Sequence, residues 1–248
     1  MPRSRDLVWD GLLNVRDLGG HPTEDGAETQ FGEIVRADTV RRLSDSGWQA
    51  LLDYGIRTIV DLRTDGERQA DPPAELPVTT IHVPFLEEDD EVFREVEEAA
   101  VRAPDQAAAT RDVYLIFLEH FRANVAAAIT AIAEAPEGGV VVHCMGGKDR
   151  TGLAAALLLR MSGVGIEDIA ADYALSEERL RTRHEAWIAE AESEAERERL
   201  RRVAATPAES MVRVLEELER RYGSVEEYLR AGGASADIGE RVRARLRG

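Results

Sequence analysis

The sequence predicts an α/β domain built on a central, mostly parallel sheet flanked by helices. Short β-branched runs alternate with longer stretches of helical periodicity between Gly32 and Met161. One of those runs, Gly139-Val140-Val141-Val142-His143, is apolar almost throughout, as a strand covered on both faces must be. A chain of 248 residues with 44% hydrophobic content is long enough for one such core, so residues 1–248 are expected to form a single domain with appendages.

In chain order, Gly32-Glu33-Ile34-Val35-Arg36-Ala37 reads as a strand after a turn, and Asn14-Val15-Arg16-Asp17 before it as a turn with a structural ion pair. Ser44 caps a helix through Trp48, Leu51 and Leu52 that stops at Gly55. Ile56 to Leu62 is the next strand. Pro72-Pro73 and Pro77 mark a loop, and Val78 to Val83 a further strand. Glu87 to Glu98 is acidic but carries Val92, Phe93 and Val96 at helical spacing. Asp105 to Ala135 reads as one long helix with Val113, Ile116, Phe117, Phe121 and Val125 on its apolar stripe; Pro136 and Gly138-Gly139 end it and launch the Val-rich strand. Leu153 to Met161 is a buried helix. Ile166 to Leu175 begins another, and 176–205 follows as a charged amphipathic segment, either a solvated helix or an oligomer contact. Residues 207–247 form two or three short helices. His120 and His184 are read as packed or surface histidines.

The net charge of −17 and pI near 4.8 argue against nucleic acid and against stable association with an anionic membrane. Such a field also repels polyanionic substrates at long range, so a positive pocket has to act locally. A single cysteine excludes an internal disulfide and suits a reducing cytoplasm. Met1 to Gly20 lacks the continuous apolar region of a signal peptide, and the expected location is cytoplasmic. No His/Cys cluster stands at metal-ligand spacing, so neither metal nor cofactor is implied.

The chemistry concentrates in Cys144-Met145-Gly146-Gly147-Lys148-Asp149-Arg150-Thr151-Gly152, between the Val-rich strand and the buried helix. Free N–H groups at a helix start bind anions, and the glycines let successive N–H groups from Met145 to Arg150 turn toward one oxyanion. Arg150 adds a planar fork that grips two phosphoryl oxygens. A cysteine in that field favours the thiolate, which is the nucleophilic form. Cys144 is the only cysteine and Lys148 the only lysine of the chain, both within one loop.

His143-Cys144, five residues, Arg150 and then Thr151-Gly152 resemble the Cys-x5-Arg phosphate loop of the protein tyrosine phosphatase superfamily. The fuller Gly147-Lys148-Asp149-Arg150-Thr151-Gly152 is similar to its bacterial branch, which includes a mycobacterial member and whose members act on phosphotyrosine and often on phosphoserine, phosphothreonine and phosphoinositides. The resemblance implies a cysteine-phosphatase fold with an added helical lid, here 176–206, for which Trp187 would be an inner-face anchor. It further implies export without a recognisable signal as an alternative to the cytoplasm. Asn14-x-Arg16-Asp17 and Asp61-Leu62-Arg63 match family segments near the site: Arg16 is either a site residue or structural, and Asp61 and Arg63 either frame the pocket or anchor neighbouring loops.

In the mechanism that the resemblance implies, Cys144 attacks phosphorus, a carboxylic acid protonates the leaving oxygen, and water hydrolyses a phosphocysteine. The family's acid position falls on Glu87, where the family's representative has Asp. Glu88 and Asp89 are further candidates, and Asp149 ranks with Glu87 unless it merely holds the loop's N–H groups. Thr151 donates to the sulfur, caps the helix, or does both. His143 supports the loop from below, and Lys148 adds charge for a second phosphate. Phosphorylated proteins or phosphoinositides are the implied partners. A phosphate-reading binding module without turnover and a sulfur transferase are the rival classes. The sequence leaves the oligomeric state open.

Overall fold

A computed structural model describes residues 3–72 and 78–248. Pro73 and Pro77 of the expected loop lie outside the described residues. Among those described, the strands are β1 (Arg16–Asp17), β2 (Ile34–Ala37), β3 (Ile56–Asp61), β4 (Thr79–His82) and β5 (Gly139–His143). The helices are α1 (Asp45–Asp53), α2 (Asp65–Ala70), α3 (Asp90–Arg102), α4 (Gln106–His120), α5 (Arg122–Ala133), α6 (Arg150–Met161), α7 (Ile166–Glu190), α8 (Glu194–Ala204), α9 (Ala208–Tyr222), α10 (Val225–Ala231) and α11 (Ile238–Arg247).

The expected α/β fold is the observed one. The sheet order is β1-β2-β5-β3-β4, parallel except for β1 at one edge. β5 is the middle strand: Val141 pairs with Val35 on one side and with Ile59 on the other. Alternation along β5 feeds two cores. Val141 packs with Trp9, Val35, Leu51 and Ile59 on the α1 face. Val140 and Val142 pack with Val60, Ile129, Leu157 and Leu158 on the opposite face, where α5 and α6 lie under the C-terminal helices. Nearly every α6 side chain is buried, which explains its lack of a polar face.

Local signals set most boundaries. Ser44 caps α1 by accepting from Gly47 N, and Gly55, at φ +99°, stops it. Asp89 and Asp105 cap α3 and α4 in the same way.

Three expectations are corrected. The helix read from Asp105 to Ala135 is two helices, α4 and α5, bent by 85° at Phe121. A straight helix of that length would span about 45 Å. The bend instead buries Phe121 and lays Val125, Ile129 and Ile132 against the sheet. The boundary placed at Ser176 falls inside α7. Ser176 is fully buried there, part of a stripe with Ile169, Tyr173, Leu180 and His184, so 176–206 comprises the outer half of α7 followed by α8. Trp187, expected to face inward, is 44% exposed. No single helix among the described residues is long and apolar enough to cross a membrane.

The fold also carries an acid-sensitive histidine. His21 is buried; its desolvation, with Arg5 beside it, outweighs Asp172 and pushes its pKa down to about 4. As pH falls through 6.5 the unfolded chain takes up the proton first, so stability is lost between about pH 6.5 and 4, by about 3 kcal/mol from this group. Urea unfolding at pH 7 and pH 4.5 should show the loss, and His21→Asn should reduce the difference. An unchanged pH dependence in the variant would remove His21 as its source.

Candidate active site

The end of β5 delivers Cys144 into a turn that leads directly into α6. The carbonyls of this turn are tied off one by one. Cys144 O accepts from His143 Nδ1 at 3.1 Å, and Met145 O from Thr39 N at 3.2 Å. Asn14 Nδ2 donates to Gly146 O and Gly147 O at 3.2 and 3.0 Å, and Arg36 Nη2 donates to Gly147 O at 2.9 Å. By contrast, the N–H groups of Met145 to Asp149 find no acceptor among the described residues. Carbonyls held outward leave N–H groups directed inward, which is an anion nest. Of the two glycines expected to shape it, only Gly147 is required. It has φ +64°, and a Cβ there would lie 2.4 Å from Ala37 O.

A buried charge cluster backs the loop. Asp172 on α7 receives Arg16 Nε at 2.8 Å and Arg36 Nη1 at 2.6 Å, and Arg16 Nη1 donates to Asn14 Oδ1 at 2.7 Å. Burial alone would raise the Asp172 carboxyl, but the two arginines outweigh it and hold it below the ordinary carboxylate range. Burial and the like charge of Arg36 lower Arg16 to about 10. Arg16 is therefore a structural residue that positions Asn14. Asn14, named from the sequence only as part of a segment near the site, holds the loop directly, and Arg36 and Asp172 are the loop-holding residues that sequence reasoning missed.

Arg150, the first residue of α6, faces Glu67 on α2 with both terminal nitrogens, at 2.5 and 2.7 Å. Against the opposing effect of burial, this pairing holds Glu67 below the usual glutamate range, and it raises Arg150. Two of five guanidinium donors are used and three stay available. Glu67 is fixed in turn by a capping box with Thr64, a Thr-x-x-Glu pattern that was there to be read in the sequence. A pocket of about 390 Å³ opens beside Arg150 and Asp149, walled by Leu86, Phe93, Phe117, Leu153 and Glu88. Asp149 Oδ1 accepts from Tyr114 OH at 2.6 Å, and Tyr114 in turn meets Tyr173 OH at 2.9 Å. Burial, then Asp149, pushes the Tyr114 hydroxyl well above its ordinary range, so it stays a donor.

The family model of the tyrosine phosphatase family matches residues 7–248. The chain belongs to the tyrosine phosphatase family. A Cupriavidus necator protein provisionally named a tyrosine-protein phosphatase is 32% identical over 180 residues, which cover 70% of this chain and 64% of that one, just under two thirds of its length. The tyrosine-protein phosphatase of Nostoc commune is 28% identical over 86% of this chain and 74% of its own. The triple specificity protein phosphatase PtpB of Mycobacterium tuberculosis is 28% identical over 96% of this chain and 98% of its own.

The remaining candidates sort by position. Glu87 is not brought to the pocket: it is exposed and accepts from Asn124 at 3.1 Å. Glu88 takes the wall instead, accepting from Thr64 at 2.8 Å. Asp149 makes no capping bond to the loop's N–H groups, so the reading of it as their holder fails. The same holds for Thr151 as a cap: its Oγ1 is buried without a partner among the described residues, one residue beyond Arg150. Asp61 and Arg63 pair at 2.9 Å and Arg63 reaches Asp71 at 3.1 Å, so they anchor loops and do not line the pocket. His143 is buried and its pKa is lowered by that burial; as the donor to Cys144 O it supports the loop. Lys148 is already engaged, with Val203 O on α8 and with Asp149 at 3.4 Å.

Proposed function

We propose that the protein hydrolyses phosphotyrosine in proteins, with phosphoserine and phosphothreonine as further substrates, through a phosphocysteine on Cys144. The observation that carries this reading is the loop itself, with its carbonyls tied off, its N–H groups free around Cys144, and Arg150 locked in place by Glu67. Cys144 thiolate attacks phosphorus, and the bond to the substrate oxygen breaks as Asp149 gives that oxygen a proton. Water, losing a proton to Asp149, then attacks phosphorus and the thiolate leaves. The free N–H groups and the spare donors of Arg150 meet the three equatorial oxygens where transition-state charge spreads. Thr151 Oγ1, unpartnered, is a donor for the departing sulfur.

Pocket walls of Leu86, Phe93, Phe117 and Leu153 beside Arg150 favour an aromatic ring, hence phosphotyrosine first. The breadth named for PtpB supports the wider substrate set. Phosphoinositides have less support, since Lys148, the cation expected to take a second phosphate, is bonded to the chain itself. The same contact, Lys148 to Val203 O, supports reading 176–206 as a cover over the loop. A lone thiol that must stay reduced supports a cytoplasmic setting.

The test is phosphate release, with chelator present, from phosphotyrosine, phosphoserine and phosphothreonine peptides and from phosphoinositides. Release ranked highest for phosphotyrosine is expected. Binding of phosphopeptide without release from any substrate would make the protein a phosphate-reading module. The acid has its own signature: Asp149→Asn should lower kcat/KM, which reports the attack step and not the later hydrolysis, by about 10²- to 10³-fold on phosphotyrosine. The loss should be far smaller on an aryl phosphate with an acidic phenol, which departs without a proton. Equal losses on both would move the role to Glu88.

A further inference from the structure

Among the described residues, the mechanism leaves one cation at the loop unused. Arg183, on α7, stands at the Gly146 end of the loop, whereas Glu67 and the pocket stand at the Arg150 end. Its Nη2 is 3.8 Å from the point that a Cβ on Gly146 would occupy, and apart from Gly146's chain neighbours no atom comes nearer to that point. The side chain is only 9% exposed, yet Nε and Nη2 have no partner among the described residues. Only Nη1 is used, by Asp38 Oδ2 at 3.2 Å. Asp38 is itself held, its Oδ1 accepting from Leu13 N and Asn14 N at 3.1 and 2.9 Å, so Arg183 is aimed from a fixed base. On its outer side lies the Trp187 ring, 5.8 Å from the guanidinium and half-exposed.

Buried guanidinium donors without acceptors are costly, and a site that keeps them has an acceptor to come. The reacting phosphoryl group is already served by the loop N–H groups and Arg150. Lys148 is committed to Val203 and Asp149. We propose that Arg183 determines specificity: it binds a second anionic group, a carboxylate or phosphate, adjacent to the phosphotyrosine of a peptide substrate. This rests on the phosphatase reading and adds the class of substrate. A peptide is favoured over a lipid surface because an anionic membrane sets a whole charged surface against a chain of net charge −17, whereas a peptide brings one or two extra charges that a local cation can hold, and Trp187 offers a flat platform beside the guanidinium.

The experiment compares binding of phosphotyrosine peptides that differ only in carrying Gln, Glu or phosphoserine next to the phosphotyrosine. The proteins are Cys144→Ser and Cys144→Ser with Arg183→Gln or Arg183→Lys. The parent should bind the acidic and doubly phosphorylated peptides roughly tenfold or more tightly than the neutral one. Arg183→Gln should bring that ratio close to one, and Arg183→Lys, with charge but no fork, should keep part of it. A parent ratio near one, or a ratio that Arg183→Gln leaves unchanged, overturns the proposal. So does an Arg183-dependent preference seen only with a soluble bisphosphorylated inositol headgroup, which would assign the second anion to a lipid. Phosphate release by the wild-type protein from the neutral peptide is measured alongside. Its absence would refute the phosphatase reading while the binding ratio still decides the role of Arg183.

Discussion

Cys144→Ser is expected to reduce phosphate release at least about 10⁴-fold while leaving phosphopeptide binding in place. A serine hydroxyl is a far weaker nucleophile than a thiolate, and His143 is not placed to activate it, since it donates its Nδ1 proton to Cys144 O. The anion nest survives the change, since its N–H groups belong to the backbone and its carbonyls remain held by Asn14, Arg36, Thr39 and His143. Single-turnover release from a phosphotyrosine peptide, with binding measured separately, checks both halves. Residual release within tenfold of wild type would mean that the sulfur is not the nucleophile.

Asp172→Ala should be the most damaging change away from the pocket. It leaves Arg16 and Arg36, both buried, without their shared counter-ion. Removing one side of a buried ion network costs about 3 to 5 kcal/mol, roughly 10 °C in Tm for a chain of this length. Activity should fall as well at temperatures where the variant is folded, because Arg36 holds Gly147 O and Arg16 holds Asn14. Urea unfolding together with kcat measured well below Tm separates the two effects. An Asp172→Ala protein as stable as wild type would show that the cluster contributes nothing net.

What could be read in advance was local. Strand, loop and helix around Cys144 sit within one short stretch, and the strand's apolar run, the glycines and the Cys-x5-Arg spacing are each visible without a partner. Ser44 and Gly55 bounded α1 for the same reason. The rest depends on contacts across the chain. Arg16 meets Asp172 from 156 positions away, and Arg150 meets Glu67 from 83. No periodicity reports such pairs. The bend at Phe121 has neither Pro nor Gly to announce it and follows from packing against the sheet. Glu87 and Glu88 differ by one position in a loop, where no alternation rule says which of two neighbours faces inward.

The tied-off carbonyls also bear on what happens after the chemistry. A nest whose donors are fixed before any ligand arrives loses little on binding, and it contacts oxygens common to the substrate's phosphoryl group and to free inorganic phosphate. Part of the affinity is therefore indifferent to whether the ester has been cleaved. Product should compete with substrate for the same seat, so turnover would slow as phosphate accumulates around the enzyme.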